Sequence, residues 1–128
     1  MTEEKKIQLV WIDDEQNALV TAGNVIKRAG LDEEVNLMPI LTSTMRENLE
    51  KLSNLPEEAI VFIDGLDGAF DRILGIVRVN NPNRRVCIVS SGDYSYKAGA
   101  LGAEFYDKPE LFFTDGMLRK VILNKEIK

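Results

Sequence analysis

Five short runs punctuate the chain, and segments with a different rhythm separate them. The runs are "IQLVWI" (7–12), "VNLMPIL" (35–41), "AIVFI" (59–63), "VCIVS" (86–90) and "AEFYD" (103–107). Each has the length of a strand, and most are apolar at nearly every position, as in strands covered on both faces. Between them, apolar residues recur at intervals of three and four. From about Glu15 to Ala29 the residues Ala18, Leu19, Ala22, Val25, Ile26 and Ala29 form one helical face, which Gly30 ends. Thr42 or Ser43 is placed to cap a second helix that buries Met45, Leu49 and Leu52. A third helix is expected from Gly68 to Val79, and residues 91–102 leave room for a short fourth. A last helix is expected from about Thr114, with Met117, Leu118, Val121 and Ile122 turned inward.

Strands that alternate with helices pair in parallel, because parallel neighbours need a crossover connection. Right-handed crossovers then wind helices onto both faces of the sheet. The fold class read from this pattern is α/β, a doubly wound five-stranded parallel sheet. The flavodoxin-like order 2-1-3-4-5 suits the chain, since it leaves the second strand at an edge, where Pro39 is tolerated. With 128 residues, 45% of them hydrophobic, and no linker or repeat, residues 1–128 are expected to form a single domain.

Composition removes several classes of chemistry. There is no histidine, so Ser-His-Asp and Cys-His catalysis and histidine metal sites are excluded. The one cysteine, Cys87, allows no internal disulfide and is read as core, which points to a reducing, cytoplasmic compartment. A net charge of -5 disfavours direct contact with nucleic acid. No apolar run approaches membrane-spanning length, and the first ten residues lack the apolar core of a secretory signal.

In a sheet of this order all strands point the same way, and ligands bind beyond their carboxyl ends, between strands one and three. Strand one ends in Asp13 and Asp14, strand three in Asp64, strand four in Ser90 and Ser91, and strand five in Asp107 and Lys108. Three carboxylates brought together repel one another, and a hard divalent cation relieves that repulsion. Mg²⁺ suits such a site, because it takes a few carboxylates, a carbonyl, waters and a phosphate oxygen. Lys108 adds a positive charge and Ser90 a donor. The set describes phosphoryl transfer with Asp64 as the acceptor.

The chain resembles the receiver domains of two-component response regulators. The matching segments are "VWIDDE" (10–15), "VFID" (61–64), "DG" (67–68), "IVSS" (88–91) and "GAEFYDKP" (102–109), which follow the family's order over almost the whole chain. The resemblance implies a single receiver-like domain in which Asp13, Asp14 and Asp64 hold Mg²⁺, with a backbone carbonyl from Leu66. It implies that Asp64 is phosphorylated by a sensor histidine kinase or a phosphotransfer protein, and that Ser90 and Lys108 contact the phosphoryl group. An aromatic switch residue is implied on strand five. Distance from Lys108 selects Phe105 and distance from Gly102 selects Tyr106. A cis Lys108–Pro109 bond is also implied. The output would be a downstream protein target, with the chain a monomer or a phosphorylation-dependent dimer. Any activity of its own would be slow, Mg²⁺-dependent gain and loss of its phosphoryl group.

Each residue also has a plainer reading. Asp13 or Asp14 could cap the first helix, Asp64 could be a turn residue before Gly65, and Ser90 could satisfy backbone groups at the strand end. Asp67 is read as the cap of the third helix. Trp11 is read as core, as are Leu111, Phe112 and Phe113, the last three being alternatively an exposed docking patch. Two segments are shorter than the family pattern: only Gly65 and Leu66 separate Asp64 from Asp67, and residues 90–108 lack roughly one helical turn. They motivate a second function, a phosphorylation-independent pseudo-receiver acting as a protein-interaction module. A third reading is a Mg²⁺-dependent aspartyl phosphatase with Asp13 as nucleophile and Glu15, two residues on, as general acid.

Overall fold

The fold was analysed in a computed structural model, in which residues 6–64, 70–114 and 116–123 are described. Five strands, β1 (Ile7–Asp13), β2 (Val35–Leu41), β3 (Ile60–Asp64), β4 (Val86–Ser90) and β5 (Glu104–Asp107), form one sheet. Its order is β2-β1-β3-β4-β5. Every pairing is parallel. This is the expected flavodoxin-like order, and it places Pro39 on the edge strand opposite Trp11 of β1.

Among the described residues six helices flank the sheet: α1 (Gln16–Arg28), α2 (Leu49–Ser53), α3 (Asp71–Val77), α4 (Ser95–Ala100), α5 (Lys108–Phe113) and α6 (Met117–Ile122). Strand residues alternate between two apolar clusters, which explains why the runs are apolar throughout. Leu9, Trp11, Phe62, Cys87 and Val89 face α1, α5 and α6. Val10, Ile12, Val61, Ile63 and Ile88 face α2, α3 and α4. Trp11 is fully buried between Phe62 and Phe112, with ring centroids 4.7 and 5.5 Å away. Its indole N–H has no hydrogen-bond partner among the described residues.

Gly30 ends α1 as expected. It takes φ +74°, the Gly30 N–H donates to Lys27 O, and the Leu31 N–H donates to Ile26 O. This pair of bonds satisfies two terminal carbonyls and turns Leu31 into the core. Gly102, at φ +73°, closes α4 with the same two-bond pattern onto Gly99 O and Ala98 O.

Four helical expectations are corrected. Residues Thr42–Asn48 form a 3₁₀ turn instead of the start of an α-helix, and no side chain caps it. Thr44 Oγ1 instead donates to Leu41 O. Leu52 is buried, but Leu49 is 40% exposed, because the tighter 3₁₀ winding rotates it off the inward face. The third helix begins at Asp71, and residues 65–69, including the expected cap Asp67, lie outside the described residues. The expected last helix is present as α6, and ahead of it lies an unexpected one: α5 starts directly at Lys108, with Asp107 accepting the Glu110 N–H at 3.1 Å. Pro109 occupies its first turn, where the missing N–H costs nothing. The Lys108–Pro109 bond is trans, not cis, since the strand passes straight into this helix without a reversal. Leu111 and Phe112 are core, while Phe113 is 73% exposed.

At the amino ends of β3 and β4 an arginine cage replaces apolar packing. Arg84 is 2% exposed. Its guanidinium donates to Val77 O, Pro56 O and Ala59 O at 2.7–2.9 Å and to Asn80 Oδ1 at 3.0 Å. Burial lowers its pKa from the ordinary arginine value. Arg78 similarly donates to Leu101 O and Gly102 O, tying the end of α3 to the end of α4. Arg84→Met strands several buried carbonyls, each costing about 1–3 kcal/mol. The expected loss is about 3 kcal/mol or more, read as a lower denaturation midpoint with an unchanged m-value. Arg84→Lys, with a single nitrogen as donor, is expected to recover only part of it.

Candidate functional site

The side chains of β1 and β3 run in register, with Ile12 opposite Ile63. The next residues, Asp13 and Asp64, therefore emerge side by side where the apolar pattern ends. Asp13 is fully buried, Asp64 half-buried and Asp14 exposed. One carboxylate oxygen from each can be chosen so that all three lie within 4.8 Å of one another. Lys108, delivered by the end of β5, completes the group. Its Nζ is 2.9 Å from Asp13 Oδ2 and 3.3 Å from Asp64 Oδ1.

The local electrostatics follow from this crowding. Burial pushes the Asp64 carboxyl up to about 6, and the charge of Asp13 and a hydrogen bond with Asp14 push in the same direction, against Lys108. For Lys108, burial disfavours the ammonium, but the hydrogen bond to Asp13 and the charges of Asp64 and Asp13 outweigh it. Its pKa is raised. Three carboxylates and one ammonium carry a net charge of about −2 when ionised, which one divalent cation would balance. The donor set is three hard oxygens with an exposed side at Asp14, and it fits Mg²⁺.

Asp13 has a second duty. Its Oδ1 accepts the Glu15 N–H at 3.0 Å, turning the chain into α1, while its Oδ2 holds Lys108. The plainer reading, a cap of the first helix, does not hold: the residue before α1 is Glu15 and no side chain caps it, so the Asp13 bond belongs to the turn that precedes the helix. With both engaged and the side chain buried, Asp13 is badly disposed to act as the nucleophile of an aspartyl phosphatase. Asp64 has the more open carboxylate.

Ser90 is buried at the end of β4, and its Oγ accepts the Gly92 N–H at 3.1 Å. Its own O–H finds no acceptor among the described residues. The two candidates for the aromatic switch separate onto opposite faces. Phe105 packs with the α3–α4 cluster. Tyr106 packs with the other cluster, and its O–H donates to Glu104 Oε1 at 2.6 Å. Glu104 also takes a two-pronged ion pair from Arg85, at 2.6 and 2.8 Å. Leu66 lies outside the described residues. Sequence reasoning passed over Asp107 as a cap and Arg84 and Arg85 as anchors. Their signal was slight, because charged residues at strand ends ordinarily face solvent.

No protein-family model matches the sequence, and no curated protein does. Solved structures do resemble the fold. The beryllofluoride-activated NtrC4 receiver domain dimer is 23% identical with TM-score 0.66, and the match covers 91% of this chain and 93% of that one. The signal receiver domain of the response regulator NarL from Mycobacterium tuberculosis is also 23% identical, with TM-score 0.63 over 94% and 96% of the two chains. A response regulator receiver protein from Sinorhizobium medicae WSM419 is 18% identical, with TM-score 0.62 over 94% and 97%. The chain has the receiver-domain fold.

The raised Asp64 pKa carries a stability prediction with a definite sign. Between the ordinary value near 4 and about 6 the folded protein binds more protons than the unfolded chain. Metal-free stability therefore falls as pH rises through that window and stays lower above it. In chelator at pH 7, Asp64→Asn is expected to be more stable than the native protein by about 1–2 kcal/mol. The gain should vanish toward pH 4, as followed by urea denaturation across the range. Added Mg²⁺ should stabilise the native protein more than the variant.

Proposed function

We propose that the chain is a response-regulator receiver domain whose Asp64 accepts a phosphoryl group from a partner's histidine. The observation that carries this reading is the Asp13–Asp14–Asp64 cluster bridged by Lys108, set at the strand ends of a receiver fold. The donor would be a sensor histidine kinase or a phosphotransfer protein, which accords with the absence of histidine in this chain. An Asp64 carboxylate oxygen attacks the phosphorus in line, the P–N bond of the donor breaks, and its electron pair stays on the imidazole.

This chain's residues have distinct parts in that transfer. Asp13 and Asp64 hold the Lys108 ammonium where it can turn to a phosphoryl oxygen, and Asp64 is ionised at neutral pH despite its raised pKa. The Ser90 O–H can donate to the transferred group. Mg²⁺, held by Asp13, Asp14 and Asp64, would supply neutralisation of the phosphoryl oxygens. The added charge would then draw on Ser90 and Lys108 and bias the surface around β4, α4 and β5. Phe105, on the α4 side, is better placed than Tyr106 to follow that movement. The downstream target would be a protein, reached as a monomer or through phosphorylation-dependent dimerisation, in the cytoplasm. Turnover by the chain itself would be limited to slow gain and loss of the phosphoryl group.

One observation favours the phosphorylation-independent pseudo-receiver. Lys108 already contacts the carboxylates of Asp13 and Asp64, as a built-in cation, and α4 has six residues. Titration with Mg²⁺ and beryllofluoride, followed by amide NMR, separates the two readings. The switch predicts saturable shifts at Asp64, Ser90 and Lys108 that spread to Phe105 and α4, and their loss in Asp64→Asn. No response at saturating Mg²⁺ and beryllofluoride would leave the interaction module.

A further inference from the structure

On the face away from α1, a cleft of about 640 Å³ opens between the 3₁₀ turn with α2 and helix α3. Its floor is apolar, built from Met45, Leu49, Ile73 and Ile76, and Arg46 and Arg72 stand at its rim. Two features mark it as more than a packing fault. The first is Leu49. It belongs to the same helical series as Met45 and Leu52, yet the fold buries Leu52 and leaves Leu49 on the open side of the cleft, 40% exposed. The second is the state of the arginines.

The chain has seven arginines. Arg28, Arg78, Arg84, Arg85 and Arg119 each donate to carbonyls or carboxylates within the fold. Arg46 and Arg72 make no hydrogen bond or ion pair with any described residue, and both are exposed. The carboxylate that also lines the cleft, Asp71, is engaged by Lys97 at 3.3 Å. An apolar trough edged by two uncommitted guanidinium groups is thus set into a protein of net charge -5.

We propose that this cleft docks an acidic amphipathic helix of a partner protein. Two helical walls leave a groove in which a helix can lay an apolar stripe against Met45, Leu49, Ile73 and Ile76. Carboxylates flanking that stripe meet Arg46 and Arg72, whose planar forks pair with them in two-pronged fashion. A second copy of this chain fits less well, because two molecules of the same negative charge repel. Asp64 does not line the cleft, and the proposal is of docking without phosphorylation.

The test uses the unphosphorylated full chain and two synthetic helical peptides of about 15 residues, with leucines at i, i+3 and i+7. One carries glutamates beside the leucines, and the other carries lysines. The glutamate peptide is expected to shift the amides of Met45, Leu49, Ile73 and Ile76, and to bind more weakly as salt rises. Arg46→Glu with Arg72→Glu should weaken it at least about tenfold. Because these side chains are exposed and make no hydrogen bond or ion pair with a described residue, the variant should keep the native melting temperature. The milder pair Arg46→Gln and Arg72→Gln gives the same comparison if it does not. Shifts elsewhere, no shifts, or equal binding of the lysine peptide would overturn the proposal. So would self-association by sedimentation that Leu49→Ser abolishes, which would assign the cleft to a second copy.

Discussion

The ammonium of Lys108 between Asp13 and Asp64 is the contact on which the site depends. Two neighbouring parallel strands deliver carboxylates side by side, and nothing apolar separates them. Without a cation their repulsion would oppose the pairing of β1 and β3, the central pair of the sheet. Lysine suits this place better than arginine. A compact ammonium on a flexible stem can bridge two carboxylates in one arrangement and turn toward a new anion in another, where a rigid guanidinium fork would commit to one geometry. Burial raises the Asp64 pKa first, and the charge of Asp13 adds to it, while Lys108 opposes both.

The opposite end of the sheet shows the contrary design. There Arg84 is buried and fully engaged with backbone carbonyls, and Arg78 ties α3 to the loop before β5. Charge at that end fixes chain reversals. Such a division suits a parallel sheet. The carboxyl ends of its strands open into the crevice between β1 and β3, while connections at the amino ends need only be held. Polarity at the two ends thus serves two purposes, although both look alike as charged residues beside apolar runs.

Much of this was legible in the chain itself. The five runs define the strands within a residue or so, because strands buried on both faces tolerate few polar residues. Pro39 marked the edge, since a proline cannot donate to a neighbour on that side. Asp13 and Asp64 stood out because each breaks an apolar run at its end, and Asp14 and Lys108 because they follow at strand ends. Less was legible in the helices. Residues 42–53 carry an apolar spacing that a regular helix would bury, yet they wind as a 3₁₀ turn and a short helix that leave Leu49 outward. Spacing records which residues could share a face, but not whether the facing surface has room for all of them. Likewise the last helix was expected only from about Thr114 and α5 was not foreseen, because contacts that hold α5 come from Trp11 of β1 and Arg28 of α1.

The sequence by itself determined the kinds of groups available, the strands that carry them, and the end of each strand at which they emerge. Those are local properties, set by side-chain alternation and by the cost of burying charge. Only the tertiary structure decided which of them meet. It brought Lys108 across 44 residues of chain to Asp64 and 95 to Asp13. It divided Phe105 from Tyr106 between opposite faces and set Arg46 and Arg72 beside one apolar cleft. Such meetings depend on strand order and helix packing, which are settled by the whole core at once. No single segment carries that information, because the free energy that selects it is shared among contacts distant in the chain.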